Sequence, residues 1–257
     1  SSIKVTYLGI FGNVSFSVGG VPMQSYYLYR CGLSAGRGVG ILALKYVFHK
    51  GCILVYAEIM MLLQGGWSYI KELDIVPHVI WGYFLCIVVI IALLLVCTQE
   101  KILEFVLWGI DQLPQSEKWN RRKEEWGSQL KSLHQEVKRI THDKTAIWKM
   151  IVLNAVKFFI LYTIPAICFY QMGVSGVTFW KMQLLSALMM LLANSLPNVS
   201  GMGATEFAFL AIFSSCMEAA QVSSGMILYR VSTFFLPFVL SVFVFLIVQH
   251  SILSENV

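Results

Sequence analysis

A charged side chain inside an apolar run is the residue most in need of a chemical reason. Arg230 stands seven positions into the run Ser223 to His250, about 10 Å along a helix, where an ionised group costs roughly 2.5 to 3.5 kcal/mol on insertion scales. Its guanidinium is a planar donor fork matched to carboxylate or phosphate. The carboxylate at hand is Glu206, at the end of a polar, glycine-rich break, Asn194 to Phe207, reading N-S-L-P-N-V-S-G-M-G-A-T-E-F. Pairing of Arg230 with Glu206 in an empty state, and with a lipid phosphate in a loaded one, is one scheme. A snorkelling arginine or a purely structural pair are the alternatives.

Hydrocarbon offers no water to free N–H and C=O groups, so irregular backbone survives there only around a cavity or inside protein. Pro197 cannot continue a helical ladder, Gly201 and Gly203 permit turns, and Ser200 or Gly203 can cap a helix starting near Ala204. The positive end of that helix suits an anionic headgroup or a carboxylate. Asn194, Asn198 and Thr205 are polar groups able to touch a headgroup or to serve as caps.

A weaker echo runs from Val18 to Gln24, V-G-G-V-P-M-Q, with Gly19 and Gly20. Gly19 precedes Gln24 by the same five positions as Gly201 precedes Glu206, and both long polar side chains would reach back to uncapped amides of the first turn. A true repeat and two unrelated helix starts both satisfy this pattern. Downstream of each copy comes a cation, Lys45 after Gln24 and Arg230 after Glu206, so each half is able to place one at similar depth. Lys45 also opens a stripe with His49, Cys52 and Tyr56 on one helix face.

The candidate headgroup set is therefore Arg230, Glu206, Gly201, Gly203, Thr205, Asn198, Gln24, Gly19, Gly20 and Lys45. Lys157 with Asn154, and Glu58, read as structural. No Ser-His-Asp, H-E-x-x-H, Walker or Rossmann pattern occurs, so no catalytic residue and no cofactor is expected. The six cysteines, Cys31, Cys52, Cys86, Cys97, Cys168 and Cys216, lack metal spacing and read as small buried hydrophobes, with no metal expected.

The elements that must position these groups are helices in lipid. Of 257 residues, 57% are hydrophobic and only 13% charged, far more apolar than a globular domain. The class is all-α, a polytopic membrane bundle with two inverted repeats and re-entrant half-helices, and no ten-residue alternation suggests a barrel. One transmembrane domain, 1–257, divides into a first half 1–97, a linker 98–147 and a second half 148–257. Ile3 to Phe16 is too short to span and reads as the end of a helix whose upstream part is missing; Pro22 to Arg30 and Ala204 to Cys216 read as half-helices.

Val39 to Leu63, Val79 to Cys97, Trp148 to Met172 (kinked at Pro165), Thr178 to Leu196 and Ser223 to His250 are the expected spans. The long helices after the two glycine motifs then run in opposite senses, as inverted halves require. Nine Lys and Arg residues between Lys118 and Lys149 place 114–149 in the cytoplasm, and leave Gln64 to Pro77 and Gly173 to Val177 outside. Ile102, Phe105, Val106, Gly109 and Ile110, then Leu130, Leu133, Val137 and Ile140, make two amphipathic faces for the inner leaflet or for a solvated linker. Without base-reading or stacking groups, the basic run gives no nucleic-acid partner.

Three stretches carry a family resemblance: F-G-N-V-S-F-S-V-G-G-V-P-M-Q-S-Y-Y-L at Phe11 to Leu28, L-P-N-V-S-G-M-G-A-T-E at Leu196 to Glu206, and L-Y-R-V-S-T-F-F-L-P at Leu228 to Pro237. In order and over nearly the whole chain, they resemble the lysylphosphatidylglycerol synthase transmembrane (flippase) domain family. The resemblance implies a multi-pass protein of the bacterial cytoplasmic membrane, with inverted halves. It also implies movement of an aminoacylated phospholipid such as lysylphosphatidylglycerol between leaflets, the basis of antimicrobial peptide resistance. Partners would be the phospholipid and the membrane, with a second copy or a separate synthase as candidate protein partners. Lysyl transfer belongs to a soluble domain in that family, and nothing here resembles it. Asn198-Val199-Ser200 replaces the family's usual glycine-richer turn. The rival readings are an enzyme of lipid-linked glycan metabolism, with Glu72 and Asp74 as its carboxylates, and a structural membrane partner using the basic helices.

Overall fold

The computed structural model describes residues 2–33 apart from 17–19, then 35–66, 99–112, 143–196 and 202–254, with scattered residues between 80 and 95 and between 120 and 139. Gly19, Pro197, Asn198, Ser200, Gly201, Glu72 and Asp74 lie outside the described residues. So does most of the expected Val79 to Cys97 span and of the basic linker.

The described residues form an all-α protein without an extended strand. The helices are α1 (Ser2–Phe16), α2 (Gly20–Arg30), α3 (Ala35–Leu63), α4 (Glu100–Asp111), α5 (Lys144–Gln171), α6 (Phe179–Ser195), α7 (Ala204–Phe213), α8 (Ala219–Arg230) and α9 (Leu236–Ser254). A π-helical turn, Val231–Phe235, joins α8 to α9. Three stretches are long and apolar enough to cross a membrane: Arg37–Leu63, Lys144–Gln171 and Ala219–His250. α5 runs through Pro165 without interruption.

Local chemistry explains where the helices start and stop. The Asp143 carboxylate accepts from the Ala146 amide at 3.0 Å to open α5, and the Thr178 hydroxyl accepts from the Lys181 amide at 3.3 Å to open α6. α5 ends at Gly173, whose φ of 76° suits a residue without Cβ. There the Val174 amide donates to the Phe169 carbonyl and the Gly173 amide to that of Tyr170, each at 3.1 Å, satisfying two carbonyls the helix leaves over.

The core forms around α6, which is buried along Met182 to Leu188 and lies against α3, α5 and α7. Gln183, fully buried, is the polar joint of three helices. Its Oε1 accepts from the Tyr56 hydroxyl at 2.8 Å, while its Nε2 donates to Thr163 Oγ1 at 2.7 Å and to the Phe159 carbonyl at 3.3 Å. With every polar atom of the amide engaged, its burial carries no desolvation penalty left unmet.

The same contacts give the helix directions. Tyr56 faces Gln183 while Lys50 faces Asn194, so α3 and α6 are antiparallel. His49 stacks on Phe158 and Tyr56 meets Tyr162 edge-on, so α3 and α5 are parallel. α7 rises from Gly203 to place Phe209 and Phe213 against Phe169 near the end of α5. α8 then returns, Gly225 packing on the Phe169 ring and Tyr229 on Phe209. The short helix and the helix after it form a hairpin that enters the bundle from one end and turns at the Ser214 to Glu218 corner.

Candidate functional site

α7 has 10 residues, a length of about 15 Å, half of what a bilayer core requires. Its first residue, Ala204, is buried, while Gly203 just before it is exposed. α8 begins at Ala219, four residues earlier than the hydropathy of the last run suggests, so Arg230 is its twelfth residue, about 17 Å along the axis. The arginine is farther along its helix than the hydropathy of the run suggests.

At that position the two candidate charges meet. Arg230 Nη2 lies 2.6 Å from Glu206 Oε1, and the arginine is only 8% exposed. The second carboxylate oxygen, Oε2, accepts from the Gly203 amide at 2.7 Å. Glu206 thus does two things at once: it caps its own helix, where a negative charge is favoured by the aligned peptide dipoles, and it neutralises Arg230. The guanidinium plane also lies over the Phe234 ring, at 4.5 Å from its centroid.

The backbone on both sides of the pair departs from regular helix. Gly203 holds φ 91° and ψ −65°, a conformation resembling a γ-turn that a side chain would strain. On the other side, Pro237 has no N–H to give the Thr233 carbonyl and its ring would clash there. The chain widens instead, the Leu236 amide bonding back to the Val231 carbonyl, and Thr233 Oγ1 donates to the Tyr229 carbonyl at 2.7 Å. The π turn begins at the residue after Arg230, so the arginine sits where the helix changes pitch.

Among the ten candidates, Arg230, Glu206 and Gly203 are in direct contact, and Thr205, half-buried, belongs to the same first turn of α7. Gly201, Asn198 and Gly19 lie outside the described residues. Gln24 and Gly20 form a different junction. Gln24 Nε2 donates to the Val5 carbonyl of α1 at 3.0 Å, so it does not reach back to its own helix start as expected. That position is satisfied by Asn13, whose Oδ1 accepts from the Gly20 amide at 3.1 Å. The longer side chain finds an acceptor on α1 because α1 packs antiparallel along it. Lys45 is exposed on α3, one turn before His49.

Two features escaped the sequence reading. Phe234, aromatic at four residues after Arg230, was a recognisable i, i+4 partner for a cation. An apolar groove of about 500 Å³ between α1, α2 and α9, lined by Leu8, Met23, Tyr27 and Phe245, has no local signature because its walls come from three distant segments. Cys31, Cys52, Cys168 and Cys216 are free thiols. No metal-holding group of His, Cys, Asp and Glu occurs among the described residues.

A model of the family described as lysylphosphatidylglycerol synthase TM region matches residues 1–241. No curated protein and no solved structure gives a match.

Proposed function

Because the chain belongs to the lysylphosphatidylglycerol synthase TM region family, a membrane family related to lipid metabolism or transport, we propose that it moves an aminoacylated or related phospholipid between leaflets. The observation that carries this reading is the Glu206–Arg230 ion pair held at the start of a half-length helix. A lipid phosphate offers the guanidinium the same paired oxygens as Glu206, so the headgroup competes for Arg230 and Glu206 is the exchangeable partner. Gly203, Thr205 and the amides of the first turn of α7, with Gly201 and Asn198 beside them in sequence, complete the headgroup side. The groove beside Phe245 accommodates acyl chain.

In this reading the two halves are inverted relatives: a helix, a short helix and a long helix follow one another in each, and α3 and α8 run in opposite senses. Rocking of one half about the midplane site would expose it to either side in turn. The basic segment 114–149 lies in the cytoplasm of a bacterial inner membrane. The protein supplies the passage.

Reconstituted liposomes carrying fluorescent aminoacyl phospholipid test the site. Arg230→Lys keeps the charge and loses the fork, so transport falls while folding survives. Glu206→Gln releases Arg230, tightening headgroup binding and slowing release. An Arg230→Ala protein that folds and transports at the wild-type rate would overturn the assignment.

A further inference from the structure

Two basic side chains from different spanning helices meet midway along both. His49 is the fifteenth of the 29 residues of α3, and Lys157 is the fourteenth of the 28 residues of α5. Ionisable groups so far from either helix end mark ion pathways and proton relays. Lys157 Nζ lies 3.0 Å from His49 Nδ1. Phe158 holds both partners: its ring stacks on that of His49, 5.1 Å between centroids, and Lys157 Nζ lies 4.5 Å from its centroid.

An ammonium donates and has no lone pair, so Nδ1 of His49 accepts and the ring proton sits on Nε2. An imidazole protonated on both nitrogens has no acceptor left, and would stand against the ammonium as a second cation. The contact therefore exists only while the two side chains share one positive charge. A further proton breaks it. The other titratable groups acting here are Lys45 and Lys50 on the helix of His49, and the Cys52 thiol beside Lys157. From α6 comes the neutral side chain of Asn194, whose Oδ1 accepts from Lys50 at 2.6 Å, so Lys50 is engaged apart from the pair.

We propose that His49 and Lys157 form a proton-exchange site, which takes up one proton when α3 and α5 part and releases it when they close. With the helices apart, Nδ1 takes one proton from water and becomes an imidazolium. On closure that proton returns to water and the Lys157 N–H···Nδ1 bond re-forms; no electron moves and no other covalent bond changes. The coupling rests on the proposed lipid passage, in which α3 belongs to the first half and α5 to the second, so that rocking opens and closes this contact. It supplies the passage with an energy source, since protons bound on one side and released on the other bias the rocking.

The test uses the purified full chain in nanodiscs, labelled with nitrogen-15 histidine and titrated downward from about pH 8. Of the five histidines, the one whose signal His49→Gln removes is His49. Its ring should carry a single proton, on Nε2, at the start and gain a second in one step. Lys157→Met should displace that step by about one pH unit or more, a tenfold change in proton affinity. Should Lys157→Met not fold, Lys157→Gln, which still donates to Nδ1 but without the charge, is read in the same way. In liposomes a gradient of about one pH unit should change passage of fluorescent aminoacyl phospholipid by up to about tenfold, the ratio one coupled proton supports. His49→Gln, which still offers Lys157 an acceptor but takes no proton, should pass lipid at one rate with and without the gradient. A displaced His49 step with no lipid passage in any form would support the exchange site and count against the passage reading alone. A His49 step that the Lys157 variants leave in place, or a gradient response that survives in His49→Gln, would overturn the exchange site.

Discussion

The two short helices, α2 and α7, show how alike sequence patterns serve different ends. Each follows a glycine-bearing connection, each carries a long polar side chain in its first turns, and they have 11 and 10 residues. In α2 that side chain is neutral and spent on a neighbouring carbonyl, and Asn13 from α1 caps the helix start. Only Gly20 of α2 is buried. In α7 the side chain is a carboxylate that caps its own helix and pairs with Arg230, while Ala208, Phe209, Ile212 and Phe213 enter the core. One is a tie between two helices; the other holds a charge in the interior. The difference teaches that a glycine motif marks a backbone break, whereas the ionisable residue after it decides whether the break becomes a charged site.

The comparison breaks most readily at the charge. Arg230→Met leaves Glu206, 28% exposed and still held by the Gly203 amide, without its cation and is expected to lower stability by about 1.5 to 3 kcal/mol, the range for a hydrogen bond to a charged group. Adding Glu206→Leu should restore part of that loss, since the uncompensated carboxylate is then gone while the cap on α7 is lost with it. The unfolding midpoint in detergent, taken for both single variants and the double, reads the coupling; a double variant no more stable than Arg230→Met would show that the pair is not what holds the hairpin.

A smaller effect belongs to the backbone. Gly203→Ala forces a side chain into φ 91°, with an expected cost of about 1 to 3 kcal/mol. No atom lies within 4 Å of the added Cβ, so the loss reports strain alone. An alanine at 203 that leaves the midpoint unchanged would show that α7 can start without this turn.

The smallest effect is expected in α2. Gln24→Ala removes one hydrogen bond to the Val5 carbonyl and should cost about 1 kcal/mol, leaving the proposed lipid transport unaltered. A Gln24 variant that folds but loses transport would give α2 a share in the headgroup site and sharpen the likeness of the two halves.

Much of this was legible in the residues. The apolar runs gave α3, α5, α6 and α8 with α9, because a bilayer demands unbroken apolar length. Gly203 marked the start of α7, and Glu206 with Arg230 were paired because a charge beside apolar runs needs a counter-charge. Gln24 was misread for a physical reason: a helix start can be capped by its own side chain or by a neighbour's, and only packing says which. The start of α8 was placed late because Ala219 to Val222 is weakly apolar yet remains helical against α5 and α7.

By itself the sequence determined that the chain is a helical membrane bundle and where its backbone breaks, since hydropathy and turn chemistry act within a few residues of one another. Tertiary structure alone decided what lies opposite what. Gln183 bridges three helices, Asn13 caps α2, Phe234 lies over Arg230, and His49 meets Lys157 across α3 and α5. Such contacts depend on the direction and rotation of each helix against its neighbours, and those come from the whole buried surface, which no local stretch encodes.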